Sequence, residues 1–303
     1  MKVALVGIGK IALAQHVPAI AASPDWDLAA TASLHGTVPG VESFADIGSL
    51  LAARPDIGTV SLSLPPVPRF AVAAAVLQAG RNLMLEKPPG ATLAEVHVLA
   101  DMARARGVSI FASWHSRMAH AVAPARAWLA GRTIHGGRIT WREDVRRWHP
   151  GQDWLLAEGG MGVFDPGINA LSILTAILPR PTHVQAAELD VPANRQAPIA
   201  ARLRLAGDIS ADFDFRQLGP QTWDMEFATD AGPMALRMGG NLLEIGGRVV
   251  AGKDDIHGEY PALYARMAQL VRTGGSDLDL SPMMLTADAF LLGRRNRVAA
   301  FDF

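Results

Sequence analysis

A chain of 303 residues without one cysteine can form neither a disulfide nor a thiolate metal site, which fits a reducing compartment. It also lacks an unbroken apolar run of about 18 residues, so no membrane-spanning helix is expected. Residues 1–14 are apolar enough to pass for a secretion signal. Gly7, Gly9 and Lys10 interrupt that run, and a soluble cytoplasmic protein is expected. Neither sign of charge is in surplus: 28 basic against 29 acidic residues leave a net charge of -1, which argues against a nucleic-acid or acidic-membrane surface. His16, His35, His120, His135, His183 and His257 are scattered without ligand spacing, so no metal site is expected. What remains is the composition of a compact enzyme, half apolar and 19% charged, long enough for about two domains.

The amino-terminal part keeps a strand–helix rhythm. An aliphatic run at 3–6 leads into Gly7-Ile8-Gly9-Lys10-Ile11-Ala12, the GxGxxA form of the dinucleotide fingerprint, at the first βα turn. Gly7 allows the tight turn, and Gly9 lets the backbone approach a pyrophosphate. The N–H groups of the helix start, at Lys10 and Ile11, would hold that group. Strands at 28–33, 59–64, 83–85 and 108–112 alternate with helices at 11–22, 47–53, 69–78 and 92–107. Such alternation means a parallel, doubly wound sheet whose strand ends, at Gly7, Ser33, Pro65, Lys87 and His115, share one edge. Pro65-Pro66 would wall the nicotinamide side of a cofactor, or simply form a turn.

Residues 82–92, NLMLEKPPGAT, organise this half. A buried strand ends in Glu86 and Lys87, Pro88-Pro89 stop it, and Thr92 with Glu95 spells the capping box of the next helix. A lysine is thereby fixed at a strand end, where open α/β sheets bind ligands, with Glu86 beside it on the cofactor side. A solvated Lys–Glu pair is the plain alternative.

From about residue 118 the rhythm is lost. A helix at 119–130 precedes the stretch 142–154, REDVRRWHPGQDW, and a glycine turn at 159–162 opens a helix running to 178. Short alternating segments follow at 182–190, 199–206, 209–215, 222–228, 234–238 and 242–250, and helices at 261–273 and 282–295 close the chain. The expected architecture is α/β: an amino-terminal Rossmann domain over residues 1–117, then an α+β domain over 118–303 with a mostly antiparallel open sheet. One face of that sheet should pack on helices and the other should carry apolar residues that a single chain leaves open. Asp165 and Asn169, four apart, share one helix face and could hold two oxygens of a polyol, although Asp before Pro also marks a helix cap. Glu143, His149, Trp148 and their neighbours suit carbohydrate, whose apolar faces lie on indole, or form an exposed charged loop.

In their order, GIGKIA, EKPPGAT and GGMGVFDPGIN resemble the glucose–fructose oxidoreductase and inositol dehydrogenase family over essentially the whole chain. Within it, SWHSR, WREDVRRWHPGQDW and DPGIN resemble the bacterial L-arabinose and D-galactose 1-dehydrogenases, which carry asparagine where Asn169 stands. The resemblance implies an NAD(P)-dependent oxidation of an aldopyranose at C1 to a lactone, on L-arabinose, D-galactose or D-fucose. It assigns Lys87, Asp165 and Asn169 to catalysis and His115, Glu143 and His149 to the sugar. Trp148 and Trp223 are added as sugar-facing walls. Asp165 is then the candidate base and Lys87 the group that holds O1. It also implies a homodimer or dimer of dimers joined through the second-domain sheet. Two other readings stay open, a family enzyme acting at another position of a sugar or inositol, and a sugar sensor without turnover.

Cofactor choice is read at the end of the second strand, where an acidic residue would bind the adenosine ribose and repel a 2′-phosphate. The chain has Ser33-Leu34-His35 there, with no acid between Asp27 and Glu42 and no Lys or Arg between Lys10 and Arg54. NADP-preferring relatives show Ser-Arg where Ser33-Leu34 stands. Ser33, His35 and Lys10 can still meet a phosphate, so both cofactors should work, with NADP modestly preferred.

Overall fold

The computed structural model describes residues 1–253 and 258–303, so His257 lies outside the described residues. Two compact units divide the chain, 1–115 with 258–280, and 116–257 with 281–303. The expected boundary after 117 is close, but the segment 258–280 joins the first unit instead of the second.

In the first unit β1 (Lys2–Val6) runs into a wide turn of π-helix, Ala12–His16, that continues as α1 (Val17–Ala21). β2 (Asp27–Ala32), a short β3 (Glu42–Phe44), α2 (Ile47–Ala53), β4 (Thr59–Leu62) and α3 (Pro66–Gln78) follow. β5 (Asn82–Glu86), α4 (Leu93–Arg106) and β6 (Ile110–Ser113) complete the pattern. Among the described residues this is a six-stranded sheet of order β3-β2-β1-β4-β5-β6, with every pairing parallel. Strands β4 and β6 are buried along their whole length, as parallel strands covered on both faces are, whereas β2 starts exposed and the edge strand β3 stays exposed or half-buried. The capping box forms as expected. Thr92 Oγ accepts from Glu95 N at 3.2 Å, Glu95 Oε2 accepts from Thr92 N at 3.3 Å, and Gly107 at φ +65° ends the helix.

The second unit opens with α5 (Val122–Leu129), β7 (Ile134–Arg142) and α6 (Val145–Trp148), then α7 (Phe164–Ile177). β8 (Val184–Pro192), β9 (Ala200–Leu205), β10 (Ile209–Asp214), β11 (Thr222–Thr229) and β12 (Gly232–Arg237) come next. The segment expected as one strand at 242–250 is a hairpin, β13 (Leu242–Ile245) and β14 (Arg248–Gly252), turned at Gly246-Gly247 with both φ positive.

The chain then returns. α8 (Glu259–Thr273) belongs to the first unit, and α9 (Ser281–Leu292) and β15 (Arg294–Val298) belong to the second. The helix expected over 282–295 stops at Leu292. Gly293 fits there only as glycine: an added Cβ would overlap the Ala289 carbonyl oxygen and lie 2.8 Å from Leu189 Cδ1. Beyond it β15 pairs in parallel with β8. Among the described residues the second sheet has nine strands, ordered β14-β13-β12-β11-β7-β10-β9-β8-β15 and antiparallel except at β7–β10 and β8–β15. Ile139, Leu203, Phe213 and Met225 point from it into the core with Phe164, Leu171 and Leu174 of α7. Truncating one such residue, Phe213 to alanine, should cost about 3–5 kcal/mol.

The opposite sheet face corrects the expectation of an apolar surface. Alternation places arginines and carboxylates there: Arg142 reaches Asp212 at 2.8 and 2.9 Å, Arg202 reaches Glu188 and Asp190, and Arg237 reaches Asp224, Glu226 and Glu244. Each half-exposed pair contributes about 0–1 kcal/mol, so the lattice sets the surface chemistry more than the stability. Over Gly136, Ala228, Pro233 and Ala235 the face is small and apolar, leaving a groove of about 460 Å³ bordered by Glu226, Arg237 and Glu244.

Candidate active site

In the first unit Gly7, Ser33, Pro65, Lys87 and His115 all follow the carboxyl ends of parallel strands, and β1 and β4 flank the point where strand order reverses. Gly7 takes φ +87°, and a Cβ there would sit 2.9 Å from Leu64 Cδ2, so the tight turn needs glycine. A Cβ on Gly9 would meet no atom within 4 Å, which leaves open space where a pyrophosphate needs backbone approach. Ala12 is fully buried, while Lys10 and Ile11 are exposed at the helix start. The turn therefore fits a dinucleotide.

Ser33 has an unexpected duty. Its Oγ accepts from Ile8 N at 3.2 Å and Gly36 N at 3.3 Å, stitching the ribose-side loop to the glycine turn. Gly36, not singled out in the sequence, is required there, since a Cβ would overlap the Ile8 carbonyl oxygen. Leu34 and His35 are exposed beside it. Pro65 is the N-cap of α3 and Pro66 its first residue, so the pair is a helix start, with Pro65 exposed.

Glu86, expected beside Lys87 on the cofactor side, is buried at the end of β5. It is 5% exposed, and both carboxylate oxygens are engaged: Oε1 by His16 Nε2 at 3.1 Å and by Tyr260 O–H at 2.7 Å, Oε2 by the Lys87 N–H at 2.7 Å. Burial alone would raise its pKa, but the hydrogen bond and charge of His16, with His115 and Tyr260, outweigh it and bring the value down to about 2. Arg69, also buried, donates to the carbonyls of Leu64, Glu86 and Pro88. Burial lowers its pKa to about 10, with the Glu86 charge opposing. His115 pairs through Nδ1 with Glu259 and stacks on Tyr260 at 5.6 Å. Desolvation works against its charge, yet Glu259 raises its pKa. His16, Arg69, Glu259 and Tyr260 were not anticipated. The one signal available was Tyr260 and Tyr264, four apart on a helix and the only tyrosines of the chain.

The second unit gathers Glu143, His149 and Asp165. His149 Nε2 lies 3.5 Å from Asp165 Oδ2 and 3.7 Å from Glu143 Oε1, and Trp223 Nε1 donates to Glu143 Oε2 at 3.0 Å. The stretch 142–154 is folded and not an open loop: Asp144 caps α6, and Gln221, missed in the sequence, accepts from Asp144 N at 2.9 Å and Trp148 Nε1 at 3.1 Å. Trp148 and Trp223 pack with ring centroids 5.6 Å apart. Asp165 lies inside the first turn of α7 and not at its cap, which is Val163. Gly167 lets that turn press on β10, since a Cβ would stand 2.8 Å from the Phe213 ring. Asn169, one turn on, is half-buried. Buried carboxylates, a histidine between them and two indoles form a constellation that can pair the hydroxyls of a sugar.

A parallel sheet of this order with a glycine-rich first turn, joined to an α+β unit carrying such a cluster, defines a dinucleotide-dependent oxidoreductase. Residues 1–113 match the oxidoreductase family with the NAD-binding Rossmann fold, and the chain belongs to that family. It is 42% identical to the galactose 1-dehydrogenase of Pseudomonas fluorescens, covering 99% of this chain and 98% of that one. The crystal structure of a D-galactose-1-dehydrogenase from Rhizobium etli superposes with a TM-score of 0.94 at 50% identity, over 99% of this chain and 97% of that one. A 3-ketoreductase from Actinomadura kijaniata bound to NADP shares the fold alone, with a TM-score of 0.84 at 18% identity over 98% and 99%.

Proposed function

We propose that this enzyme oxidises an aldopyranose of the D-galactose, L-arabinose or D-fucose type at C1 to its lactone, with NADP or NAD. The observation that carries the reading is the Glu143–His149–Asp165 cluster walled by Trp148 and Trp223. It stands in a chain 42–50% identical, nearly end to end, to galactose 1-dehydrogenases. A bound nicotinamide supplies the hydride acceptor for C1–H. Residues of the Gly7–Gly9 turn, with Lys10, Ile11, Ser33, Leu34 and His35, would hold the dinucleotide. Asp165 takes the proton of the C1 hydroxyl, and the Lys87 ammonium stabilises negative charge developing on O1. Asn169 donates to the ring oxygen or a neighbouring hydroxyl, while Glu143, His149 and His115 read the C2–C4 hydroxyls. A wrong epimer leaves one of these buried groups unpaired, at about 1–3 kcal/mol.

D-Galactose and L-arabinose share one ring arrangement of hydroxyls and differ at C5, so one pocket serves both. We further propose a cytoplasmic homodimer or dimer of dimers. Supporting it are the absence of cysteine, the burial of residues 3–6 in a central strand, and a second-unit sheet face whose charge lattice surrounds a small-residue groove. Carbon NMR of a D-galactose reaction tests the chemistry. The expected product signal is a C1 lactone carbonyl; a ketone at any other carbon would point to a family enzyme of different regiochemistry.

A further inference from the structure

The strand end that presents Lys87 is held from two sides within the first unit. The Lys87 N–H donates to the Glu86 carboxylate at 2.7 Å, and Arg69 donates to the carbonyls on either side, of Glu86 and Pro88. That carboxylate has its own buried harness. His16 Nε2 and the Tyr260 hydroxyl converge on Glu86 Oε1, and His16 Nδ1 meets Tyr264 O–H at 2.9 Å. Both tyrosines come from α8, which the chain sends back onto this unit after 258. His16 is fully buried at the end of the π turn that follows the dinucleotide fingerprint. A glutamate so placed has both oxygens engaged within the unit: Oε1 is held by His16 and Tyr260, and Oε2 restrains the backbone N–H of the next residue.

We propose that Glu86, braced by His16 and Tyr260, is a positioning residue that fixes the Lys87 backbone so that its ammonium meets the reacting oxygen. This rests on the C1-oxidation reading, in which Lys87 touches that oxygen. A loosened strand end costs turnover because the approach of a reacting group is geometrically demanding. The cofactor, bound by the glycine turn, loses nothing. The same harness ties the α8 segment to the strand that carries the lysine.

The test uses full-length Glu86→Gln, Tyr260→Phe, His16→Leu and His16→Gln proteins with three measurements. Amide hydrogen exchange at Lys87, read by NMR, should accelerate at least ~10-fold in Glu86→Gln, Tyr260→Phe and His16→Leu, with Leu85 unchanged. In the same variants kcat should fall ~10-fold or more, while the dissociation constants of NADP and NAD stay within about twofold. His16→Gln keeps a donor toward Glu86 and should recover most of both losses. If Glu86→Gln instead weakens cofactor binding ~10-fold with exchange unaltered, Glu86 is a cofactor ligand and the proposal is overturned. It is equally overturned if the variants only melt earlier, with exchange and kcat per folded molecule unchanged. Should the parent protein oxidise no aldose, the functional reading fails, and the exchange at Lys87 still decides whether Glu86 positions that residue.

Discussion

His149 turns its Nε2 toward Asp165 at 3.5 Å, close enough for one ring nitrogen to steady the carboxylate that the proposed reaction uses as its base. Asp165→Ala and Lys87→Ala should each lower kcat by at least ~100-fold, the scale of a lost acid–base or electrostatic group. Asn169→Ala should cost less. Near-normal turnover in an Asp165→Ala protein of unchanged melting temperature would return that residue to a helix-packing role.

Trp223 donates to Glu143 and packs on Trp148, so it orders the carboxylate proposed to read the sugar. Trp223→Phe keeps the ring and removes the donor. The sugar KM should rise about 10–150-fold, as a lost hydrogen bond to a charged group does, with the cofactor KM unchanged. Steady-state kinetics varying each substrate in turn separate the two, and a rise in the cofactor KM alone would contradict the assignment.

Leu34, 79% exposed beside Ser33, is the position at which the proposed cofactor choice is tested. Because the Ser33 oxygen already accepts backbone N–H groups, a 2′-phosphate has little beyond its hydroxyl proton, His35 and Lys10 to meet. Both cofactors should support turnover with NADP modestly preferred, and Leu34→Arg should strengthen NADP binding about tenfold. A preference of the parent for NAD beyond ~100-fold in kcat/KM would show that another element selects the cofactor.

The pairing of His115 with Glu259 gives a pH signature. The pKa of His115 is raised above its ordinary 6.5 in the fold, so the pair contributes its full stability below that value and loses it as pH climbs above it. Glu259→Gln removes the charge responsible. Calorimetry should find the gap in Tm between parent and variant larger at about pH 6 than at about pH 9. A gap that is constant or larger at the alkaline end would mean that the histidine is neutral in the native state.

Assembly is checked by light scattering at micromolar protein, where a dimer or tetramer is expected. Ala235→Arg, in the floor of the groove, should shift it toward monomer, and a monomeric parent would refute the proposal.

Local signals made much of this legible. The glycine turn, the Thr92–Glu95 box and the Asp165–Asn169 spacing each fit within a few residues, and each forms an element or cluster where the sequence places it. Edges were harder. β3 and β15, ESF and RRNRV, have no apolar period, because edge strands owe their form to a neighbour. Least visible was the Glu86 harness, since Tyr260 lies 174 residues away and only the fold brings it back. The charged sheet face was written in the alternation of Arg202 and Arg204 with Asp212 and Asp214, a pattern masked by the apolar residues between them.

The proposed oxidation at C1, by a pocket that reads the galactose arrangement of hydroxyls, has a direct optical readout. The direct measurement is absorbance at about 340 nm as reduced nicotinamide forms, across a panel of aldoses and inositols with NADP and with NAD. D-Galactose, L-arabinose and D-fucose should give kcat/KM at least ~10-fold above D-glucose and D-mannose. Equal rates with D-glucose, or turnover of inositols alone, would rule out a pocket built for the galactose arrangement.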